Sequence, residues 1–175
     1  TTEAVILKRR NFGEADRLIT VYTYRHGKLT LLAKGVRQLT SRKKAGLELF
    51  THVKLFIASG KNLDLITETS TINSFPHLRH KLSATALAYQ VVEALDRLTR
   101  EGQDHPEVFN LLVDTLNRLA SAPDPQAIVV DYQIKLLQLL GFGLPQVVTS
   151  TAVKSHIEAI IDRRLNAASQ FGSVQ

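Results

Sequence analysis

The sequence predicts a five-stranded β-barrel followed by an all-helical domain, with residues 1–77 in the barrel and residues 78–175 in the helices. Two changes along the chain support this division. Before Phe75-Pro76, apolar residues form short β-branched and aromatic runs separated by turn residues. After this point, apolar residues recur at helical spacing. A third observation, the confinement of excess positive charge to the first part, suggests a polyanion partner for the barrel alone.

Five runs in the first part have the composition of strands. They lie at 3–10, 17–25, 28–37, 49–59 and 63–74. Short turns connect most of these runs, but a longer basic segment joins the third to the fourth. Closure of such a sheet into a barrel removes its exposed edges. Five strands with a long third connection are typical of the OB-fold, which we therefore predict.

Four segments in the second part have the spacing of helices. They lie at 80–100, 105–121, 125–143 and 151–171. Pro106 and Pro125 stand in first turns, where proline is favoured. Gly102 and Gly141 stand near helix ends, where glycine is common. The third segment is the most apolar, so we expect it at the centre of a helical bundle.

All of the excess positive charge lies in the first fifty residues, which hold eleven Lys or Arg against four Asp or Glu, whereas the whole chain has a net charge of +6. The bases cluster at 8–10, 34–37 and 42–44, and these clusters can converge on one side of a small barrel. Exposed Phe12, Tyr22 or Tyr24 would offer stacking to unpaired bases, although the two tyrosines fit a core position equally well. Nucleic acid is the favoured partner, and an ordinary basic surface, an acidic protein or an anionic membrane remain alternatives.

Signals for an enzyme or a metal site are weak. Gly60-Lys61 lacks the remaining residues of a phosphate-binding loop, and no nucleophile motif is present. The chain has no cysteine, which excludes a disulfide, a thiol nucleophile and a cysteine zinc site. His77 and His80 have no acid nearby and are interpreted as polar residues at the domain junction. We predict no catalytic residue, metal or cofactor.

Features of membrane and secreted proteins are also missing from the sequence. No apolar run approaches the ~20 residues of a membrane span, and the N-terminal residues lack the pattern of a secretory signal. We therefore expect a cytoplasmic protein.

Several short motifs resemble one known family. Residues 3–37 combine an apolar first strand, the turn NFGEADRL, the tripeptide HGK and the segment AKGVR. These motifs, at this spacing, resemble the N-terminal part of the RecO family of bacterial DNA-repair proteins. Later segments are similar to that family as well: SRKKAGLELF at 41–50, SFP at 74–76, LLGFGLPQ at 139–146 and the final helix.

The resemblance implies an OB-fold, a helical domain and a non-enzymatic recombination mediator. Such proteins bind single- and double-stranded DNA, anneal complementary strands and act with RecR. They engage the acidic C-terminal tail of single-stranded-DNA-binding protein (SSB) and help RecA to load onto coated strands. By this resemblance we expect a nucleoid-associated cytoplasmic protein. The alternative is an OB-fold adaptor whose basic face binds an acidic protein.

The resemblance also places candidate binding residues on matching basic positions. The main candidates for DNA contacts are Lys34, Arg37, Arg42, Lys43 and Lys44. The second choice is Arg9 and Arg10. An apolar groove with a basic rim is expected for the acidic tail, with candidates Arg97, Arg118 and Lys135.

One departure from the family concerns the segment near residues 146–150. Many members carry an insertion after the LGF segment, and in some members it holds four zinc-binding cysteines. Here only VVTSTAVK separates Gln146 from SHIEAIIDRRLNAASQF, the part of the last helix that resembles the family. Either the protein lacks this insertion or the insertion is missing from the sequence at this point, and no zinc site is predicted from the residues present.

Overall fold

A computed structural model of the chain describes residues 1–119 and 121–171, and it describes their side chains as far as residue 166. Five strands close into a barrel in the order β1-β2-β3-β5-β4. Their bounds are β1 (Thr2–Phe12), β2 (Asp16–Thr23), β3 (Gly27–Ala33), β4 (His52–Ala58) and β5 (Leu65–Asn73). All neighbouring strands are antiparallel except β3 and β5. The predicted five-stranded OB-fold barrel is confirmed.

Strand β1 contributes to two different cores because successive side chains point to opposite faces of the sheet. Ala4 and Ile6 belong to the barrel interior, together with Ile19 of β2. Val5 and Leu7 point outward and pack into the core of the helices. The helices thus cover one outer face of the barrel, and a bulge between Ile6 and Lys8 changes the register of β1 beyond it.

Five helices follow the barrel in the described part of the chain. They are α1 (Pro76–His80), α2 (Leu82–Leu98), α3 (Pro106–Leu119), α4 (Pro125–Leu139) and α5 (Ser150–Phe171). The single helix predicted at 80–100 is wrong at its start, because extended backbone at Lys81 separates α1 from α2. Helix α4, predicted at the centre of the bundle, packs against α2, α3 and α5, whereas α2 packs against all four other helices and against β1.

The tripeptide HGK forms the junction between the barrel and helix α2. The Lys28 ammonium donates to the backbone carbonyl oxygens of Asp96 at 2.6 Å and of Thr99 at 2.7 Å, and it pairs with the Asp96 carboxylate at 3.2 Å. These carbonyls lie at the C-terminal end of α2, where unpaired oxygens and the helix dipole attract a cation. Lys28 therefore fixes the helices to the barrel.

Gly27 permits the chain to approach this junction closely. Its φ is +61°, and a Cβ at this position would lie 1.8 Å from the carbonyl oxygen of Gln103. No side chain fits there unless the backbone moves. A second connection comes from Arg79 of α1, whose guanidinium donates to Leu49 O at 2.7 Å and to Thr51 Oγ1 at 2.8 Å.

Tyr22 and Tyr132 lie in the core between barrel and helices. Burial raises the pKa of Tyr22 to about 12, and the negative charge of Asp104 contributes to the increase. Burial also raises the pKa of Tyr132, with a contribution from Tyr22. Both hydroxyl groups are buried without a hydrogen-bond partner among the described residues. Ionisation of either phenol is therefore unfavourable in the folded state.

This burial predicts a loss of stability at alkaline pH. The unfolded chain releases the Tyr22 proton near pH 10, whereas the folded chain holds it to about pH 12. The stabilising contribution is complete below pH 10 and is lost as the pH rises through this window. Urea unfolding at several pH values should show a steeper decline for the wild type than for Tyr22→Phe. Equal declines in the two proteins would contradict this assignment.

Candidate nucleic-acid interface

The connection after β3 folds into a series of tight turns, and we call residues 34–44 the basic loop. Within the loop, Gln38 N–H donates to Gly35 O and Ser41 N–H donates to Gln38 O, each at 3.1 Å. A short 3-10 turn at Ala45–Leu47 then leads toward β4. These hydrogen bonds give the loop a defined backbone conformation, which fixes the Cα positions from which its basic side chains extend.

The first half of the basic loop is held by the turn between β1 and β2. Gly35 N–H donates to the Asp16 carboxylate at 2.8 Å. Arg37 N–H donates to the carbonyl oxygen of Ala15 at 2.9 Å. Asp16 belongs to the NFGEADRL motif and Gly35 to AKGVR, so two motifs of the resemblance meet here. Their observed role is to position the loop.

The second half of the basic loop is held by β5. The Lys43 ammonium donates to the carbonyl oxygens of Lys34 at 3.1 Å and of Ile66 at 3.2 Å. Just after the loop, Gly46 lies so close to β5 that a Cβ would be 2.6 Å from Thr69 Oγ1. Lys43 thus joins both ends of the loop to the barrel wall.

A groove of about 600 Å³ lies between the basic loop and β5. Lys34, Arg42 and Lys43 line one side of the groove. Thr67, Glu68 and Thr69 of β5 line the other side. The groove therefore offers cations and hydroxyl donors to an anion, with Glu68 as the acid among its lining residues. Phosphate is bound in proteins by groups of this kind.

The predicted DNA-binding residues differ in whether their side chains already have a hydrogen bond or ion pair within the protein. Lys34, Arg42, Lys44 and Arg10 are exposed, and their side chains have no hydrogen bond or ion pair with the described residues. Arg37 is exposed and makes one long contact, 3.3 Å from its Nη1 to the carbonyl oxygen of Gly13. These five side chains can approach a phosphate without breaking a strong contact.

Two of the predicted residues already have partners. Arg9 forms an ion pair with Glu48 at 2.6 Å, and both side chains are partly buried. Lys43 is partly buried and donates to two carbonyls of the loop and β5, as described above. The charge pattern gave no sign of either contact, since both depend on residues distant in sequence.

The aromatic residues considered for base stacking separate into different environments. Tyr22 is fully buried in the core, so it is unavailable for stacking. Tyr24 is 41% exposed but packs edge-on against Phe109 of α3, with ring centroids 5.6 Å apart. Phe12 is 46% exposed at the end of β1, beside the turn that holds the basic loop. Phe12 is the aromatic that remains suited to contact a base near the loop.

The predicted partner-binding bases do not form one site. Arg118 of α3 and Lys135 of α4 share Asp131, at 3.6 Å and 2.8 Å respectively. Arg97 of α2 pairs elsewhere with Glu158 of α5 at 3.0 Å.

Of the three bases, Arg97 borders a small apolar cleft between α2, α4 and α5. Ala94, Ile157 and Ile161 provide apolar surface in this cleft. Lys154, which the sequence pattern did not single out, adds a second base beside it. Glu93 and Glu158 line the same cleft, so its rim carries two acids beside the two bases, and both acids pair with Arg97.

Metal-binding and membrane-spanning features are absent from the described part of the chain. Within residues 1–119 and 121–171, no group of three or more His, Cys, Asp or Glu is arranged to hold a metal ion. His77 and His80 are exposed on α1. None of the helices in these residues is long and apolar enough to span a membrane.

Comparison with known families supports the resemblance seen in the sequence. The family model described as Recombination protein O N terminal matches residues 1–75. The model described as Recombination protein O C terminal matches residues 79–150. The two matches adjoin and together cover most of the chain.

Curated relatives carry the same family name. A protein named DNA repair protein RecO from Desulfitobacterium hafniense is 39% identical over 140 residues, which are 80% of this chain and 51% of that protein. A protein of the same name from Roseiflexus sp. is 38% identical over 141 residues, or 81% of this chain and 50% of that protein. The chain spans about half the length of these curated relatives.

Proposed function

The chain belongs to the recombination protein O family, and from this premise we propose that it is a DNA-binding recombination mediator in DNA repair. The observation that carries the proposal is the basic loop. Its free cations, Lys34, Arg42 and Lys44, stand on a backbone held by Asp16 and Lys43. Such cations release counterions when they neutralise phosphates, which favours binding with little dependence on base sequence.

Strand annealing follows from the same electrostatics. Two complementary strands repel each other through their phosphates, and cations that neutralise both backbones lower this repulsion. Bound single strands would keep their bases accessible, because the proposed contacts are to phosphates. Arg37 adds a further cation within the loop, and Arg10 of β1 adds one outside it, so that a second strand can be held. Double-stranded DNA would bind through the same phosphate contacts.

The helical domain is proposed to hold protein partners. The cleft beside Arg97 and Lys154 is the proposed site for the acidic C-terminal tail of SSB. Glu158 pairs with Arg97 at 3.0 Å, so an incoming carboxylate would have to replace this contact. We further propose that the chain acts together with RecR and helps RecA to load onto SSB-coated strands. This role would take place on the nucleoid in the cytoplasm.

The experiment that tests this function is an annealing assay with two complementary oligonucleotides. We expect the chain to accelerate annealing severalfold in buffer that contains neither ATP nor a divalent metal, because the mechanism is electrostatic. Sodium chloride should suppress the acceleration. The matched variant is Lys34/Arg42/Lys44→Ala, which should anneal more slowly than the wild type.

Other outcomes of the assay would select a different function. Strand cleavage on addition of magnesium would indicate a nuclease. No DNA binding, together with salt-sensitive binding to an acidic polypeptide such as polyglutamate, would indicate the OB-fold adaptor. Either result would overturn the mediator proposal.

A further inference from the structure

The basic loop carries one large apolar side chain that packs against almost nothing. Leu39 is 97% exposed. It lies between Arg37 and Arg42 in the sequence, and both of these bases are also exposed. A single exposed leucine on a protein surface is ordinary, so the exposure by itself carries no weight. The position of Leu39 among cations is what requires an explanation.

Leu39 lies within a hydrogen-bonded turn of the loop and does not pack on the barrel. Gln38 N–H donates to Gly35 O, which closes one turn just before Leu39, and Ser41 N–H donates to Gln38 O, which closes the turn that contains Leu39. The loop is in turn held by Asp16 at one end and by Lys43 at the other. The structure thus presents an apolar tip at a defined place beside the groove.

From this arrangement we propose that Leu39 contacts the faces of unstacked nucleic-acid bases while the neighbouring cations hold the phosphates. The inference rests on the proposed DNA binding and adds to it a preference for single strands. The charges on both sides select a polyanion as the occupant, and bases are its apolar part. Leucine side chains that enter a duplex between base steps must first unstack them, at a cost of a few kcal/mol per step. A single strand has base faces that are already open, so contact with Leu39 carries no such cost and favours single strands.

The test uses Leu39→Trp, because the chain has no tryptophan and the new side chain would be its only indole. Binding of an oligothymidine is followed in parallel by the anisotropy of a label on the DNA. We expect the tryptophan emission to change and its quenching by acrylamide to fall at least twofold on binding. A blunt duplex hairpin should leave both signals close to those of the free protein.

A second variant measures the contribution to affinity. Leu39→Ala should weaken oligothymidine binding about fivefold, toward the low end of values for base contacts. The slope of affinity against salt should stay the same because no charge changes. Leu144 supplies the matched control, since it is 42% exposed in a segment without charged residues. Leu144→Trp and Leu144→Ala should show neither effect.

Two results would overturn the inference, and they differ from failure of the proposed function. If the Leu39→Trp variant binds oligothymidine but its indole emission and quenching are unaffected, the side chain at this position does not contact bases. If Leu39→Ala binds as tightly as the wild type, the contact is irrelevant to affinity. If the wild type binds no DNA at all, the proposed function itself fails.

Discussion

Lys34/Arg42/Lys44→Ala is expected to bind single-stranded DNA roughly thirtyfold more weakly than the wild type at moderate salt, since three exposed ion pairs of about 0.7 kcal/mol each are lost. These three side chains are exposed and have no partner among the described residues, so their removal should leave the fold intact. The affinity is best measured by fluorescence anisotropy with a labelled oligothymidine. Unfolding in urea checks that the variant is as stable as the wild type.

A control of equal charge separates local contacts from net charge. Lys81/Arg100/Arg163→Ala removes three exposed bases from the helical domain. It should weaken binding only slightly, because distant exposed charges are screened by salt. Equal losses in the two triple variants would show that overall charge, and not the basic loop, determines DNA binding.

Lys43 is left unchanged in this experiment for a structural reason. Its ammonium donates to the carbonyls of Lys34 and Ile66, so its removal would alter the position of the loop as well as its charge. A variant that includes Lys43→Ala would mix these two effects.

Gly27→Ala is expected to lower the free energy of unfolding by about 3 kcal/mol or more. The φ of +61° is unfavourable for alanine, and the added Cβ would lie 1.8 Å from the carbonyl oxygen of Gln103. A strained backbone conformation costs about 1–3 kcal/mol, and a forced backbone shift costs about as much again. This loss is a large fraction of the total stability of an ordinary domain. Urea unfolding followed by circular dichroism provides the measurement.

The chain contains a matched control for the cost of the positive φ alone. Gly13 has a similar φ of +58°, but a Cβ there would meet nothing within 4 Å. Gly13→Ala should therefore cost only about 1 kcal/mol. Equal costs for Gly13→Ala and Gly27→Ala would contradict the close approach between the barrel and the segment at Gln103.

Lys28→Met tests the other half of the junction by removing the contacts to Asp96 and Thr99.

The barrel was predictable because its strands have strong local patterns. Alternating apolar residues and short turns identify strands without any knowledge of partners. The start of α2 was placed too early because apolar residues at 80–100 recur at helical spacing, and the short helix α1 was not predicted. The extended backbone at Lys81 depends on the tertiary position of α1, which Arg79 fixes through Leu49 and Thr51 of the barrel.

The basic loop was predictable as a segment, but the role of each base within it was not. Charge and position are visible in the sequence, whereas the hydrogen bonds of Lys43 depend on Ile66, twenty-three residues away. The ion pair of Arg9 with Glu48 joins residues that are even further apart in sequence. The motif HGK lies between the second and third predicted strands, and the structure gives it a further role at the junction through Lys28. Sequence patterns locate charges, and only the fold determines which of them have partners.

The salt dependence of DNA binding tests the central claim most directly. The logarithm of the association constant for oligothymidine is measured against the logarithm of the sodium chloride concentration for the wild type and for Lys34/Arg42/Lys44→Ala. We predict a steep negative slope for the wild type and a slope shallower by about 2 for the variant, because each lost phosphate contact removes about 0.7 from it. A flat wild-type slope, or the same steep slope in both proteins, would contradict DNA binding by the basic loop.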